Sequence, residues 1–329
     1  MSGKRKFEEQ LAVLDALRQQ PSEATIEPLR KALSNRNNFI VAKAAEIVRE
    51  LQLTQLTPEL LQAFDHFFDD PIKSDPQCWA KNAISKALAA FEYQEPEIFL
   101  RGMKHIQLEP TRGGSSDSAG TLRATCAFAL VQCRGVREPE LLQHLVDLMG
   151  DEEKSVRAEA VRAIEQVGSP SAALLLRLKA IAAADEPEVL GACYSGVLGI
   201  EGPKSIPWVA RFLARGDDAA AEAALAIAGT HAPESFEVLR KCFAEPADLW
   251  FSSVLLSAMA LTRQEEAIEF LMDEVRRDSL HAESAIEAIM RSLPSKEMEK
   301  RLEKIVAGNP RLARAFAGQR RKDSAASKS

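Results

Sequence analysis

Apolar residues in this chain recur at helical spacing, in runs of ten to fifteen residues separated by short polar turns. The segments ELLQHLVDLM after Pro139, KSIPWVARFLA after Pro203 and ESFEVLRKCFA after Pro233 all place apolar residues three or four positions apart. Alternation of polar and apolar residues with a period of two, which indicates a strand, is hard to find. The pattern therefore predicts an all-α protein.

Prolines mark an internal repeat in this pattern. Each opens one of the apolar runs, and successive prolines lie 30 to 43 residues apart. Proline is favoured in the first helical turn because its missing N–H has no intrahelical partner there. Runs that begin at Gln264 and Ser295 continue the spacing without proline. A period of this length is typical of stacked helical repeats. The seven prolines are Pro21, Pro58, Pro96, Pro139, Pro170, Pro203 and Pro233.

Between these runs lies a second kind of helix, rich in small residues. The segment VRAEAVRAI at 156–164 aligns with LRATCAFAL at 122–130 and with HAESAIEAI at 281–289. A column of this alignment that accepts only small residues predicts close approach of helix backbones, as where adjacent repeats stack. That column reads Ala44, Cys126, Ala160, Cys193 and Ala285.

One repeat resembles a known consensus. Residues 151–157, DEEKSVR, followed by Ala160, Ala163, Ile164, Val167 and Gly168, resemble the HEAT repeat in the variety called PBS-lyase HEAT-like. The other repeats keep the size pattern but lose the aspartate or the arginine. The resemblance implies an armadillo-type α-α superhelix, a HEAT-type solenoid of about eight helix pairs. Residues 1–19 would form an N-terminal capping helix and residues 20–308 the solenoid. Residues 309–329 would form a short helix near 310–317 and a disordered basic tail from 318.

The net charge of −6 is unevenly distributed. The last 19 residues carry +5 and the first ten carry +1, so residues 11–310 carry −12. Because an acidic body repels phosphate backbones, nucleic acid is a poor partner except through the tail. No apolar run is long enough to span a bilayer, and no apolar segment of a secretory signal follows the N-terminus. We expect a cytoplasmic monomer without membrane contact.

Motifs that carry chemistry are missing from this sequence. HEAT proteins of the deoxyhypusine hydroxylase type hold two irons through His-Glu dipeptides, but none of the five histidines precedes a glutamate. There is no G-x-S-x-G segment. The five cysteines show no CxxC spacing and none lies near a local histidine or a basic cluster, so we expect buried thiols in a reducing cytosol. The sequence predicts a non-enzyme without catalytic residue, metal or cofactor.

Two enlarged turns, 69–75 and 109–120, connect the first to the second helix in adjacent repeats and are expected at one edge. Insertions of this kind often mark the binding side of a solenoid. The stretch Arg-Gly-Gly-Ser-Ser from Arg112 would cradle an anion before a helix N-terminus. The alternative is a mobile linker, with Asp75 and either Asp117 or Ser118 as helix caps. The candidate binding residues are Asp70, Lys73, Asp75, Trp79, Arg112, Gly113, Gly114, Ser115, Asp117, Arg123 and Arg157.

The favoured hypothesis is a non-catalytic scaffold that binds a protein or peptide partner. Its concave second-helix face and the 69–75/109–120 edge would form the binding surface. One alternative is an enzyme on the HEAT fold, similar to a bilin lyase or to the alkylated-DNA glycosylases. A basic cleft around Trp79 and Arg123 would favour the second of these. The other alternative is a nucleic-acid tether through the tail cations Arg311, Arg314, Arg320, Arg321 and Lys322.

Overall fold

The computed structural model describes residues 2–20, 22–245, 247–292 and 295–326, and within these ranges the side chains of 7–20, 23–245, 247–292 and 295–322. This part of the chain is almost entirely helical. It forms two compact units, Met1–Val167 and Gly168–Ser329. The division falls at Gly168, whose φ of 71° lies in the left-handed region that favours glycine just after a helix.

The first unit contains one leading helix and four helix pairs within the ranges described. The helices are α1 (Ser2–Leu17), α2 (Ser22–Leu33), α3 (Asn38–Glu50), α4 (Thr57–His66), the one-turn α5 (Pro71–Ser74), α6 (Trp79–Ala90), α7 (Pro96–Met103), α8 (Gly120–Gln132), α9 (Glu138–Leu148) and α10 (Lys154–Val167). The pairs are α2 with α3, α4 with α6, α7 with α8, and α9 with α10. The second helices stack in order, α3 on α6, α6 on α8 and α8 on α10.

The second unit contains five pairs in the part of the chain that the structure describes. Its helices are α11 (Pro170–Ala182), α12 (Pro187–Glu201), α13 (Ile206–Ala210), α14 (Asp218–Gly229), α15 (Pro233–Phe243), α16 (Leu249–Leu261), α17 (Glu265–Arg276), α18 (Ala282–Arg291), α19 (Lys296–Val306) and α20 (Pro310–Ala326). Here too the second helices stack, from α12 through α14, α16 and α18 to α20. Adjacent pairing of first and second helices confirms the predicted HEAT-type fold class.

The prolines lie where the pattern placed them. Pro96, Pro170 and Pro233 begin their helices, and Pro58 and Pro139 occupy the second position of theirs. Pro203 opens a short 3-10 turn, Pro203–Ser205, ahead of α13. Pro21 lies outside the described residues. Proline therefore marks the start of the first helix in most repeats, because that position needs no N–H donor.

The small-residue column is buried throughout. All five of its members, at 44, 126, 160, 193 and 285, are fully excluded from solvent. At Cys126 the close neighbour is Gly102 of α7, the first helix of the same pair, where an added Cβ would lie 2.3 Å from the Cys126 Sγ. Small residues in the second helices thus also let the two helices of one repeat approach each other.

Two features differ from what the sequence predicts. Residues 108–117 form a hairpin of β1 (Leu108–Thr111) and β2 (Gly114–Asp117), paired antiparallel from Leu108↔Asp117 to Thr111↔Gly114. At the other end of the sequence, α20 continues through residues 318–326, where the sequence predicts disorder; residues 327–329 lie outside the described residues. Leu312 and Phe316 are buried against α18 and α19, and the following Ala, Arg and Lys residues are good helix formers. The predicted boundaries at 19 and 308 stay predictions.

Candidate functional site

Three loops of the first unit hold an aspartate six positions before a basic residue on the next second helix. Each loop leads into α6, α8 or α10, so one arrangement recurs in three consecutive repeats. Only the third repeat resembles the HEAT consensus, so resemblance reveals the arrangement there, whereas in the other two repeats only the spacing of six does. The pairs are Asp75 with Lys81, Asp117 with Arg123, and Asp151 with Arg157.

The first pair is fully buried, with 3.0 Å between Lys81 Nζ and Asp75 Oδ2. The Asp75 carboxylate also accepts the backbone N–H groups of Ala80 and Lys81, which caps the first turn of α6. Asn38 Nδ2, from the preceding repeat, donates to Asp75 Oδ1 at 2.9 Å, and Lys81 Nζ donates to the carbonyl oxygen of Phe67 at 3.0 Å. These bonds offset the large cost of taking both charges out of water.

Hydrogen bonds to Glu109 connect the hairpin to the preceding repeat. Its Oε1 accepts the backbone N–H of Gln77 at 2.6 Å, the hydroxyl of Ser118 at 2.6 Å and Gln107 Nε2 at 2.8 Å. Gln107 Nε2 also donates to the backbone oxygen of Asp75 at 2.8 Å. Burial raises the pKa of the Glu109 carboxyl, but these hydrogen bonds favour its charged form and lower the pKa overall.

Arg123 joins the hairpin to the loop before α10. Its Nε and Nη2 donate to the two oxygens of Asp151 at 2.7 and 2.9 Å, and its Nη1 donates to Asp117 Oδ2 at 2.5 Å and to the carbonyl oxygen of His105 at 2.9 Å. Burial lowers the pKa of Arg123, yet the two carboxylates outweigh burial and raise it. Burial likewise raises the pKa of Asp117, but two backbone N–H groups and Arg123 lower it overall.

The loop between α4 and α6 is therefore fixed. Asp70, Gln77 and Cys78 adopt φ of 49°, 62° and 54°, a region that non-glycine residues rarely occupy and that costs about 1 kcal/mol or more for each residue. Such a conformation persists only where the surroundings hold it, and the bonds to Asp75 and from Gln77 to Glu109 supply that restraint. The alternative interpretation of this edge was right that Asp75 caps the following helix, whereas the mobility that it assigned to the linker stays a prediction.

The predicted anion cradle is also absent from the described hairpin. Arg112 and Gly113 form its two-residue turn, and Gly114 and Ser115 pair with Thr111 and Pro110. The helix α8 begins later, at Gly120, so the glycine-rich stretch does not lie at a helix N-terminus. The Ser and Gly residues read as a flexible loop in the sequence because they lack the branched side chains typical of strands.

Burial divides the predicted binding residues into two groups. Asp75 and Arg123 are 0 % and 3 % exposed, so the prediction that they contact a partner needs correction: they hold the loops in place. Asp117 belongs with them. Arg157 Nη1 donates to the backbone oxygen of Asp151 at 2.7 Å. The exposed group contains Asp70, Lys73, Trp79, Arg112, Gly113, Gly114 and Ser115, of which Asp70 and Lys73 pair at 2.8 Å.

The outer face of the hairpin carries apolar side chains that the sequence analysis missed. Ile106 and Leu108 are 64 % and 54 % exposed, whereas Gln107 and Glu109 between and after them are buried. Ile72, in the neighbouring loop, is 45 % exposed. The alternation of Ile106, Gln107, Leu108 and Glu109 is a short strand signal that could have identified this face. We call Ile72, Ile106 and Leu108 the apolar edge.

A groove of about 360 Å³ lies between α3 and α6. At one end the rings of Phe39 and Trp79 meet edge to face with centroids 5.1 Å apart, and Trp79 is 47 % exposed. Trp79 follows Gln77, which contacts the hairpin, by two residues. The groove is further lined by Lys43, Glu46, Arg49, Asn82 and Lys86. Arg123 is not among its lining residues, so the basic cleft that would favour a repair enzyme does not form around that residue.

A second groove, of about 400 Å³, lies between α12 and α14 in the second unit. Small residues such as Ser195 and Gly199 and the apolar Leu225 line it. Its charged lining residue is Glu222, and burial, with a smaller contribution from Glu188, raises the pKa of that carboxyl. The grooves of the two units thus differ in charge.

Burial keeps two of the cysteine thiols in their protonated form. Burial raises the pKa of the Cys78 and Cys193 thiols to about 12, so little reactive thiolate forms near neutral pH. In the described part of the chain, no three or more His, Cys, Asp and Glu side chains gather as a metal site would require. None of the described helices combines the length and the apolar character needed to cross a membrane.

The tail cations make contacts within the chain. Arg311 pairs with Asp278, which precedes α18, and with Glu283, which lies in the first turn of α18. Arg320 lies 3.8 Å from Glu303 and above the ring of Phe316. The basic end of the chain therefore faces carboxylates of its own unit.

Comparison with known families identifies part of this arrangement. Residues 115–196 match the family described as HEAT repeats. This segment is made of HEAT repeats. It begins in β2 and ends in α12, and it includes two of the three aspartate–basic pairs and three members of the small-residue column. The pair Asp75–Lys81 precedes the matched segment but has the same spacing and the same place before a second helix. No curated protein matches the chain.

Proposed function

We propose that this protein is a non-catalytic interaction scaffold, and that a protein or peptide partner docks on the apolar edge. HEAT repeats generally mediate protein binding. The observation that carries the proposal is the two-faced hairpin. On its inner face Glu109 bonds to Gln77 of the preceding repeat, and Asp117 bonds to Arg123, which also pairs with Asp151 before the next repeat. On the opposite face Leu108, and Ile106 just before the hairpin, are exposed.

A hairpin that is held in place and exposes apolar side chains is better suited to contact with a partner than to contact with water. Exposed apolar side chains that cluster next to one another mark interaction surfaces more often than isolated ones do. Because the hairpin is held by buried hydrogen bonds, a partner would not have to order it, and less conformational entropy would be lost on binding. Trp79 and the turn at Arg112 would extend the surface on either side.

The alternatives have less support. A repair enzyme would use cations along a groove to grip DNA, but Arg123 is buried in a structural role. A tether would use the tail, whose Arg311 and Arg320 already face carboxylates. A bilin lyase rests on the name of the repeat variety alone.

Point substitutions test the proposal better than a deletion does. Removing 111–118 would also remove Asp117 and Ser118, so the buried Arg123 and Glu109 would each lose one of their partners. We therefore expect Ile106→Asp combined with Leu108→Asp to keep the fold and to abolish co-purification of a stoichiometric partner from lysate of the source cells. The control is Leu280→Asp, at a leucine that is 78 % exposed in the second unit.

Mass spectrometry and gel densitometry of the purified complexes give the readout, and circular dichroism confirms the fold of each variant. Partner retention by the double variant, or an equal loss with Leu280→Asp, would contradict docking on the apolar edge.

A further inference from the structure

We propose that the groove between α3 and α6 binds a peptide segment in which carboxylate side chains flank an apolar side chain. The inference rests on the proposed scaffold function and names the chemistry of its partner. It concerns the residues of this groove and not the apolar edge.

The groove is formed by one face of each helix. On α3 its residues are Phe39, Ala42, Lys43, Glu46 and Arg49, and on α6 they are Trp79, Asn82, Ala83 and Lys86. Within each set every residue lies three or four positions from at least one other, as in Phe39, Lys43 and Glu46, so each set lies on a single helix face. The two second helices stack directly, and Ala42 and Ala83 are small, which leaves room between the flanking side chains.

The aromatic end of the groove suits an apolar side chain. Trp79 is half exposed and is supported from the side by Phe39 at a centroid distance of 5.1 Å. Phe7 of α1 lies 5.8 Å from Phe39 and extends this support. A partly exposed tryptophan braced by other rings is the residue type that most often dominates binding energy at interfaces.

The charged end of the groove has more cations than carboxylates. Its one carboxylate, Glu46, is already engaged by Lys43 at 3.3 Å and by Arg18 at 4.0 Å. By contrast, the side chains of Arg49 and Lys86 have no hydrogen bond or ion pair with any residue that the structure describes. The excess of cations over carboxylates makes this end of the groove positive within a body of charge −12, which complements an acidic partner.

An unsatisfied amide lies between the two ends. The side-chain oxygen of Asn82 is buried and lacks a hydrogen-bond partner within the described structure. Leaving a buried polar atom unpaired is costly, and native proteins rarely do so. If the Asn82 side chain turns into the groove that it lines, a backbone N–H of a peptide supplies the missing donor, which an inorganic anion cannot do.

Nucleic acid fits the groove poorly. Single strands need cations that continue along the backbone together with several stacking rings. On the adjacent second helix, α8, the basic residue is Arg123, which is buried and paired with two aspartates. The unpaired cations of this groove are thus confined to α3 and α6, over a length that matches a short peptide.

Selection from a library of displayed random peptides tests the proposal on the full chain. We expect enriched peptides to contain Asp or Glu on both sides of a Trp, Phe, Leu or Ile. Their affinity, measured by fluorescence anisotropy of synthetic copies, should fall about tenfold or more with Arg49→Glu combined with Lys86→Glu, and to a similar extent with Trp79→Ala. It should also weaken as salt rises.

The matched control is Lys204→Glu combined with Lys300→Glu, which makes the same change in net charge at exposed lysines of the second unit. Selected peptides without acidic residues, no enrichment at all, or equal loss with the control pair would overturn the inference. Tighter binding of a single-stranded oligonucleotide that depends on the same cations would do so too. A cellular partner lost with the hairpin variant but kept by the Arg49 and Lys86 variant would leave the scaffold function standing and remove only this inference.

Discussion

Single residues hold this structure together in a way that composition does not reveal. A lysine at position 81 of an acidic helical protein reads as part of a solvated helix face, and Arg123 reads likewise. In the structure both are buried, each beside an aspartate six positions earlier. The sequence alone could not show this, because burial of a charge depends on which loops from other repeats lie above it. The spacing of six is visible in the sequence, but it becomes meaningful only once it is seen three times.

The variant Lys81→Met tests this account of the buried pair. It leaves the charged Asp75 buried without its cation, and breaking one partner of such a pair costs about 3–5 kcal/mol. We expect the free energy of unfolding to fall by that amount, measured by urea titration followed by circular dichroism.

Lys73→Met provides the control, since Lys73 and Asp70 form the same kind of ion pair in full contact with solvent. Its unfolding midpoint should not move. Equal effects of the two variants would show that the Lys81 pair is no more than a surface contact.

At the scale of elements, the sequence predicted the helices better than their connections. The helical period and the prolines locate the first helices because both signals are local. The hairpin at 108–117 escaped prediction because it depends on Glu109 finding Gln77 in the preceding repeat. The small-residue column was recognised, but its partner at Cys126 is Gly102, whose role the sequence does not reveal.

Gly102→Ala tests the close contact between α7 and α8. The added Cβ would lie 2.3 Å from Cys126 Sγ, so the helices must move apart. Overpacking of this kind costs about 1–3 kcal/mol, which exceeds the roughly 1 kcal/mol that alanine gains over glycine in a helix. We expect a lower urea midpoint, and recovery when Cys126→Ala is added.

Gly229→Ala is the matched control at the end of α14, where a Cβ would meet nothing within 4 Å. It should leave the midpoint unchanged or raise it. A stable Gly102→Ala variant would mean that the two helices are not in the contact described.

At the scale of the whole molecule, the repeat period continues through Val167 without a change, so the sequence predicts one array where the structure has two compact units. The sequence period locates the helices of each repeat, but it does not show how the contacts between repeats are distributed along the chain. The described residues form nine pairs instead of the predicted eight or so, because α20 is long enough to pair with α19.

Hydrogen exchange tests the separateness of the units. In repeat proteins stability is largely a sum of nearest-neighbour terms, so damage spreads first to adjacent repeats. In Lys81→Met we expect faster amide exchange, measured by mass spectrometry, in peptides from α4, α6 and α8. Peptides from 168–326 should exchange as in the unmodified protein. A uniform increase along the chain would instead show a single cooperative unit.

The bonds that fix each loop also have an order in time. The backbone N–H of Gln77 cannot form its hydrogen bond to Glu109 until that residue, 32 positions later, has been synthesised. Arg123 likewise cannot pair with Asp151 until a further 28 residues have been added. During synthesis on the ribosome, these two repeats therefore lack part of their hydrogen bonding until the next repeat has emerged. A pause in translation within residues 81–151 would leave such an end open to chaperones and proteases, so this region should be the one most sensitive to the speed of elongation.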